Sequence, residues 1–425
     1  MATSVPIRVL ILGGGFGGLA AYLGIHRRLH GDSAVTVTLV ADRDVFEFTP
    51  MLHEVATGGL LPSSIQLPLR GIPQCCLERF VEGTIRSVDL DQRVATVDVP
   101  AAGNQIELPY DFLVSALGST TNFFGTPGAE AYALTLKDLS NARAIKTRIL
   151  SQFERAVHLT TDEERERALR FVIVGGGPTG VELAGELSDL IRHELSRVYP
   201  GLVSHARVVL LQSADRLVPQ MDAWFDHQSR SILGRTAVVD VRLRTRVREV
   251  RPDGVQLDGE FIHAATVVWT AGVAARPLEL RANKPVERDE RMGRLKVDEY
   301  LRLPSYPNVF IVGDQAWVYD REERQPYPMR AQFAIREGAI AAENIVRTIA
   351  GELPRAFEWR NRGFLLSLGQ GGALGIAFGV RWSGPFAWWL YRTAYLTQII
   401  GIRAKLRTAL EWTLNLFSPR DLAKL

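Results

Sequence analysis

The same short pattern is written twice in this chain. The apolar run Val9 to Leu12 leads into Gly13-Gly14-Gly15-Phe16-Gly17-Gly18 and on into Leu19-Ala20-Ala21-Tyr22-Leu23. Phe171 to Val174 leads in the same way through Gly175-Gly176-Gly177-Pro178-Thr179-Gly180 into Val181 to Ile191. Each reads as strand, glycine turn and helix. In a G-x-G-x-x-G turn after a strand, the first glycine makes the tight bend and the second lets the backbone approach a pyrophosphate. The third lets the helix pack closely on the strand. The helix N-terminus, with its free N–H groups and its dipole, suits the anion. A single match is read equally well as a turn that merely joins strand to helix. Two matches in the same setting point to a duplicated dinucleotide-binding unit.

Further strands fall where such units require them. Val35 to Val40 and Arg207 to Leu211 follow at βαβ distance. Asp111 to Gly118 and Thr266 to Gly272 read as buried strands, each ending in a turn of small residues. A third such strand, Asn308 to Asp314, comes after the second unit is complete and is assigned to the first sheet, so the second domain is inserted in the first. The expected class is α/β with two Rossmann-like domains. The first spans 1–125 and 295–350, the second 126–294, and a C-terminal segment spans 351–425. The charged run Asp162 to Arg167 is expected to be a solvated connection or helix face.

Composition removes other classes. With 425 residues, 46% hydrophobic and 23% charged, the chain suits two to three globular domains. A net charge of +3, without any Lys/Arg block, argues against nucleic acid. The N-terminus runs from Met1 to Pro6 straight into a strand, which predicts no secretory signal. No apolar run of spanning length is read. The two cysteines, Cys75 and Cys76, are adjacent and form no CxxC motif; plain packing is the expectation. No metal-ligand spacing and no nucleophile elbow is found, so a bound cofactor must carry the chemistry.

Dinucleotide sites place an acid after the second strand to hold a ribose hydroxyl. The first unit offers Asp42, one place later than expected, and the second offers Gln212. NADH is preferred, but an amide repels a 2′-phosphate less than a carboxylate does, so NADPH stays open.

Taken together, Gly13 to Gly18, the run Phe48-Thr49-Pro50-Met51-Leu52-His53-Glu54-Val55-Ala56-Thr57-Gly58, Gly175 to Glu186, Val312-Gly313-Asp314 and Ala331-Gln332-Phe333-Ala334 resemble the type II NADH:quinone oxidoreductases. The resemblance runs over nearly the whole chain. It implies an enzyme that takes a hydride from NADH onto FAD and passes two electrons to a membrane quinone, without proton pumping. By that resemblance Gly13, Gly15 and Gly18 hold the FAD pyrophosphate and Asp314 the ribityl or phosphate portion. Gly175, Gly177 and Gly180 hold the NADH pyrophosphate. Phe16, Gly118, Thr179, Gly272 and Gly313, at the turns of the two units, complete the candidate nucleotide positions. Glu182 matches an acid near the nicotinamide; read locally, it is a capping or surface carboxylate in the first turn of its helix. Gln332 matches the first glutamine of the A-Q-x-A-x-Q motif where quinone docks, and Arg336 stands where the second is expected.

The family also carries a C-terminal membrane-binding segment. Trp382, Trp388, Trp389 and Trp412, half of the eight tryptophans, lie in the last fifty residues. Phe386, Trp388, Trp389, Leu390, Tyr391, Tyr395, Leu396, Ile399 and Ile400 supply apolar and interfacial surface, and Arg392, Arg403, Lys405 and Arg407 suit anionic headgroups. Gly401 is expected to split the segment into two helices, with Leu406, Leu410, Thr413, Leu414 and Phe417 on one stripe of the second. A homodimer interface or a core-packing helix pair reads the same residues as well. Localisation is expected at the cytoplasmic face of the cell membrane, peripherally. The alternatives are a soluble NAD(P)H-dependent ferredoxin or rubredoxin reductase, and a nucleotide-responsive flavoprotein with little turnover.

Overall fold

A computed structural model describes residues 6–29, 31, 34–72, 77–320, 322, 324–359, 363–377 and 379–424. Cys75 and Cys76 lie outside the described residues. The strands used below are β1 (Ile7–Leu12), β2 (Val35–Ala41), β3 (Leu77–Glu82), β4 (Phe112–Ser115), β5 (Leu134–Thr135), β6 (Arg170–Val174), β7 (Arg207–Leu211), β8 (Val239–Arg242), β9 (Thr266–Trp269), β10 (Arg302–Leu303) and β11 (Tyr306–Ile311). The helices are α1 (Phe16–Arg28), α2 (Leu52–Ala56), α3 (Leu139–Val157), α4 (Pro178–Asp189), α5 (Ala331–Ile349), α6 (Pro385–Gln398) and α7 (Ile402–Leu414).

Contacts divide the chain into two units, one of residues 1–46, 67–120 and 273–360, the other of 47–66, 121–272 and 361–425. The chain thus leaves the first unit, builds the second and returns. This division differs from the one drawn on the sequence in three places. Residues 47–66 group with the second unit, because α2 is buried along its whole length and packs there against α3 and α4. Residues 273–294 group with the first, because Glu279–Arg281 adds a parallel strand beside Thr84–Asp89. The C-terminal segment is split: 351–360 stays with the first unit, and 361–425 joins the second, where the hairpin strands Phe364–Ser367 and Ala373–Ala377 pack on α6.

In the first unit the sheet runs β10-β11-β4-β1-β2-β3. All neighbours are parallel except β10 and β11. The third strand read from the sequence is β11, and it pairs with β4 as expected. Val9 to Leu12 are almost wholly buried, as a central parallel strand covered on both faces requires. α1 and α5 lie so close that a Cβ on Gly338 would stand 2.2 Å from the Gly17 carbonyl oxygen. Small residues at this crossing let the two helices approach.

The second unit repeats the plan, with a fully parallel sheet in the order β5-β9-β6-β7-β8. The charged run 162–167 is an exposed helix, Asp162–Ala168, opened by a capping box between Thr161 and Glu164. The helix after the second glycine turn ends at Asp189 and continues as a π-helical turn to Leu195, later than the sequence suggested. Gly401, at φ +89°, separates α6 from α7.

Candidate functional site

The two glycine turns have the same internal logic. Gly13 has φ +108°, and a Cβ there would lie 2.3 Å from the Ala116 carbonyl oxygen; Gly175 has φ +113°, with its Cβ 2.5 Å from the Ala271 Cα. A Cβ on Gly18 would meet the Gly13 carbonyl oxygen at 1.9 Å, and one on Gly180 the Gly175 carbonyl oxygen at 1.9 Å. These four positions are glycine because backbone already occupies the space. Gly15 and Gly177 differ: a Cβ at either would meet nothing within 4 Å. Each is the N-cap of its helix and carries no side-chain cap. Open space over an uncapped helix N-terminus is what a dinucleotide pyrophosphate needs, so both turns fit that group. Phe16 packs edge-on against Phe46, with centroids 5.0 Å apart. Thr179 is exposed in the first turn of α4. Sequence reasoning passed over Thr270, whose hydroxyl donates to the carbonyls of Val174 and Gly175 and braces the second turn.

The residues after the second strands diverge. β2 extends to Ala41, so Asp42 immediately follows its strand, without the one-place offset read from the sequence. Its carboxylate pairs with Arg276 at 2.7 Å. Gln212 immediately follows β7, and both ends of its amide are engaged: Oε1 accepts from the Gly176 N–H and Nε2 donates to the Arg216 carbonyl, each at 3.2 Å.

Around the end of β4 the first unit assembles a polar edge. Gly118 and Gly313 both adopt positive φ. The Ser119 hydroxyl donates to the Asp314 carboxylate. Gln315, absent from the sequence reading, accepts from the Ser115 hydroxyl at 2.7 Å and the Leu117 N–H at 3.2 Å, and donates to the Arg276 carbonyl. Gly313 donates its N–H to the buried carboxyl of Glu337 at 2.6 Å. Burial raises the Glu337 pKa to about 8, against the opposing pull of that N–H. Gln332 and Arg336 stand one turn apart on the half-buried face of α5, while Phe333, Ala334, Glu337 and Gly338 form its buried face. In the second unit, a Cβ on Gly272 would meet the Phe124 ring at 2.4 Å, so this glycine answers to packing.

Glu182 is neither a cap nor a surface carboxylate. It is the fifth residue of α4, buried, and its Oε1 accepts from the Ser367 N–H at 3.3 Å. Around it α2, α4 and the C-terminal segment gather a cluster that no local pattern announced. His53 Nδ1 lies 3.8 Å from Glu182, and the Tyr391 hydroxyl lies 3.4 Å from His53 Nε2. The Trp412 indole donates to Glu54 at 2.7 Å, and Arg420 pairs with Glu186 at 2.8 Å. Burial pushes Glu182 up to about 8 and Glu54 up to about 7, and pushes His53 down to about 4. The His53–Glu182 contact is therefore one between two neutral groups near pH 7, not an ion pair. Arg420 and Glu186 are both buried; removing one partner of such a pair strands the other charge and costs about 3–5 kcal/mol. Arg392 also turns inward, contrary to its expected place at a headgroup. Its guanidinium sits over the rings of Trp388 at 3.7 Å and Trp412 at 4.9 Å, and burial lowers its pKa. Tyr391 and Ile399, expected on the interfacial surface, are buried as well.

Among the described residues no group of acids, histidines or cysteines could hold a metal ion, and no helix is long and apolar enough to cross a membrane. The outer face of α7 is nevertheless apolar. Ile402, Leu406, Leu410 and Leu414 are 70, 64, 59 and 51% exposed, while Ala404, Thr408 and Trp412 form its buried face.

The pyridine nucleotide-disulphide oxidoreductase family matches residues 7–338. A type II NADH:quinone oxidoreductase of Mycobacterium tuberculosis is 33% identical, covering 97% of this chain and 89% of its own length. A probable NADH dehydrogenase of Dictyostelium discoideum is 32% identical, covering 98% and 91%. The structure of NDH2 from Plasmodium falciparum in complex with NADH superposes with a TM-score of 0.88 at 19% identity, over 98% of this chain and all of that one, and shares the fold. With the two glycine cradles in place, the chain belongs to the pyridine nucleotide-disulphide oxidoreductases and, within them, to the type II NADH:quinone oxidoreductases.

Proposed function

We infer that this chain holds FAD at the glycine turn of its first unit, oxidises NADH at the turn of its second and reduces a membrane quinone. The observation that carries the reading is the duplicated cradle: Gly15 and Gly177 each open onto empty space at an uncapped helix N-terminus. Relatives 33 and 32% identical over nearly the whole chain favour this reading over a ferredoxin reductase or a regulatory flavoprotein.

Bound flavin supplies a two-electron acceptor for the nicotinamide hydride and a two-electron donor for the quinone. The protein's own part is placement and proton bookkeeping. Gly13, Gly15 and Gly18 shape the seat for one pyrophosphate, and Gly175, Gly177 and Gly180 shape the other. Asp314, fixed by Ser119, offers a carboxylate to the flavin nucleotide's hydroxyls. Glu182, neutral near pH 7, can donate a hydrogen bond from its carboxylic acid toward the nicotinamide side of the second site. Gln332 and Arg336 are the acceptor-site pair, an amide and a guanidinium suited to quinone oxygens. The balanced reaction joins NADH, one proton and quinone to give NAD⁺ and quinol.

The exposed stripe of α7 lies on lipid in this reading, with Arg403 exposed beside it for anionic headgroups. The placement is peripheral, at the cytoplasmic face of the cell membrane, and a homodimer joined by the same stripe is its competitor. Anaerobic mixing of the purified protein with NADH tests the core of the proposal. Rapid bleaching of the flavin absorbance, with recovery on adding a short-chain quinone, is expected, and heat-released flavin should chromatograph as FAD. A protein that purifies without flavin, or that bleaches and does not recover with quinone, overturns it.

A further inference from the structure

Glu182, Gly185 and Asp189 follow one another at intervals of three and four residues, so they share one face of α4. The turn of the C-terminal hairpin, Leu368 to Gly372 between the strands Phe364–Ser367 and Ala373–Ala377, is seated on that face. At one end the Ser367 N–H donates to Glu182 Oε1 at 3.3 Å, and at the other the Gln370 N–H donates to the Asp189 carboxylate. Between these two acids the helix carries no side chain: a Cβ on Gly185 would stand 2.5 Å from the Leu368 carbonyl carbon. The turn is shaped to match. Gly369, at φ +101°, would drive a Cβ into the Asp189 carboxylate, and the Leu368 N–H closes on the Gly372 carbonyl at 2.9 Å.

Neither the glycine nor the buried acid is favourable by itself. A glycine inside a helix is about 1 kcal/mol worse than alanine. Asp189 is held where burial pushes its carboxyl up to about 6. Glu186 raises it further, while the Gln370 N–H, Arg420 and Arg192 draw it down, so it is a carboxylate at neutral pH. Asp189 thus accepts at one end as an anion, and Glu182 at the other as a neutral acid. Two acceptors on the helix grip two N–H groups on the turn, so the turn cannot slide along α4 without losing both. Glu182 is the fifth residue beyond the open N-cap Gly177, about 7.5 Å along the helix from it.

We propose that this hairpin turn is the positioning element for Glu182: Gly185 and Asp189 hold the turn on α4, and the turn fixes the Glu182 carboxyl and keeps water from it beside the second glycine cradle. The proposal rests on the reading of that cradle as the NADH site. Gly185 and Asp189 are positioning residues in this role, acting through Ser367 rather than on the nucleotide.

The test uses the flavin-loaded protein and two ligands of the second unit. NADH is followed by the rate of anaerobic flavin reduction at saturation, and ADP-ribose, which lacks the nicotinamide, by titration calorimetry. Gly185→Ala favours the helix but drives a methyl into the Leu368 backbone; Asp189→Leu keeps the bulk of the side chain and removes the acceptor. Both should speed hydrogen exchange at the Ser367 amide and slow flavin reduction by about tenfold or more, the scale on which a misplaced group reduces rate. ADP-ribose affinity should be unchanged in both. Asp189→Asn keeps an oxygen for the Gln370 N–H and should restore the slow exchange and bring the rate to within a few-fold of the parent's. Unchanged exchange at Ser367 in both variants overturns the proposal, as does a parental rate despite fast exchange. A loss of ADP-ribose binding parallel to the loss of rate also overturns it, because the turn then supports the fold of the whole unit. If the unaltered protein ignores ADP-ribose and NADH leaves its flavin unbleached, it is the reading of the site that falls.

Discussion

Gly15 and Gly18 look alike in the sequence and answer to different demands. Gly18 is held by its own backbone neighbour, Gly13, whereas Gly15 is open for a ligand. Alanine separates the two roles. Gly15→Ala should leave thermal stability within about 0.5 kcal/mol of the parent, because its φ of −79° is ordinary and nothing is struck. The same variant should lose most of its bound flavin, read as the ratio of visible to protein absorbance. Gly18→Ala should instead yield little folded protein, since a contact at 1.9 Å with backbone cannot be relieved by a side-chain shift. Equal flavin content in Gly15→Ala and the parent would count against the first turn as the flavin seat. The motif and its division of labour, the second glycine for the ligand and the third for packing, were legible in the sequence; the structure supplied the atoms that enforce it, the carbonyl oxygens of Ala116 and Gly13. Gln212 teaches the same lesson, since its residue type was plain and its double engagement with Gly176 and Arg216 was not.

At the scale of elements, α7 was readable because its apolar residues recur at helical spacing and Gly401 precedes them. The tertiary structure then divided its residues between two faces. Ala404, Thr408 and Trp412 face the second unit, and Glu411 accepts from the Leu61 N–H at 3.0 Å and the Ser64 hydroxyl at 2.7 Å. Ile402, Leu406, Leu410 and Leu414 are left outside, as in a helix that lies in a membrane interface. Leu406→Asp with Leu410→Asp should weaken binding to anionic phospholipid vesicles by about a hundredfold or more, as expected when two leucines lose their burial. Flotation with vesicles measures this, and flavin content should stay unchanged. Unaltered flotation, together with a smaller particle in sedimentation, would assign the stripe to a second copy of the chain. α6 carries the opposite lesson. Arg392 and Tyr391 sit in a segment that reads as interfacial, yet both turn inward, because Trp388, Trp412 and His53 provide a buried place for them.

For the whole molecule, buried acids set the response to pH. Glu182 and Glu337 titrate near 8 and Glu54 near 7 in the folded protein, each raised first by burial. In the unfolded chain such groups release their protons near pH 4. Between these limits the folded state binds more protons than the unfolded one, so stability falls as pH rises from about 4.5 to about 8. His53, lowered to about 4 by burial, acts in the other direction: its contribution is lost as pH falls from about 6.5 to about 4. Above pH 6.5 only the acids remain in play, and the melting temperature should decline steadily from pH 6.5 to 8.5. Glu337→Gln keeps the acceptor for the Gly313 N–H and removes one titration, so it should flatten that decline. A slope identical to the parent's, by calorimetry, would show that Glu337 is already ionised in the folded state.

By itself the sequence determined the two strand–turn–helix units, the return of the chain to the first sheet at β11 and the two-helix tail. These follow from local periodicity and from glycine spacing, which act over a few residues. Only the tertiary structure decided which groups would lose their water. Glu54 on α2, the Glu182 and Glu186 pair on α4 and Arg420 near the C-terminus come from distant parts of the chain, and nothing near any of the three segments predicts that they meet. Their protonation depends on the burial that the meeting creates.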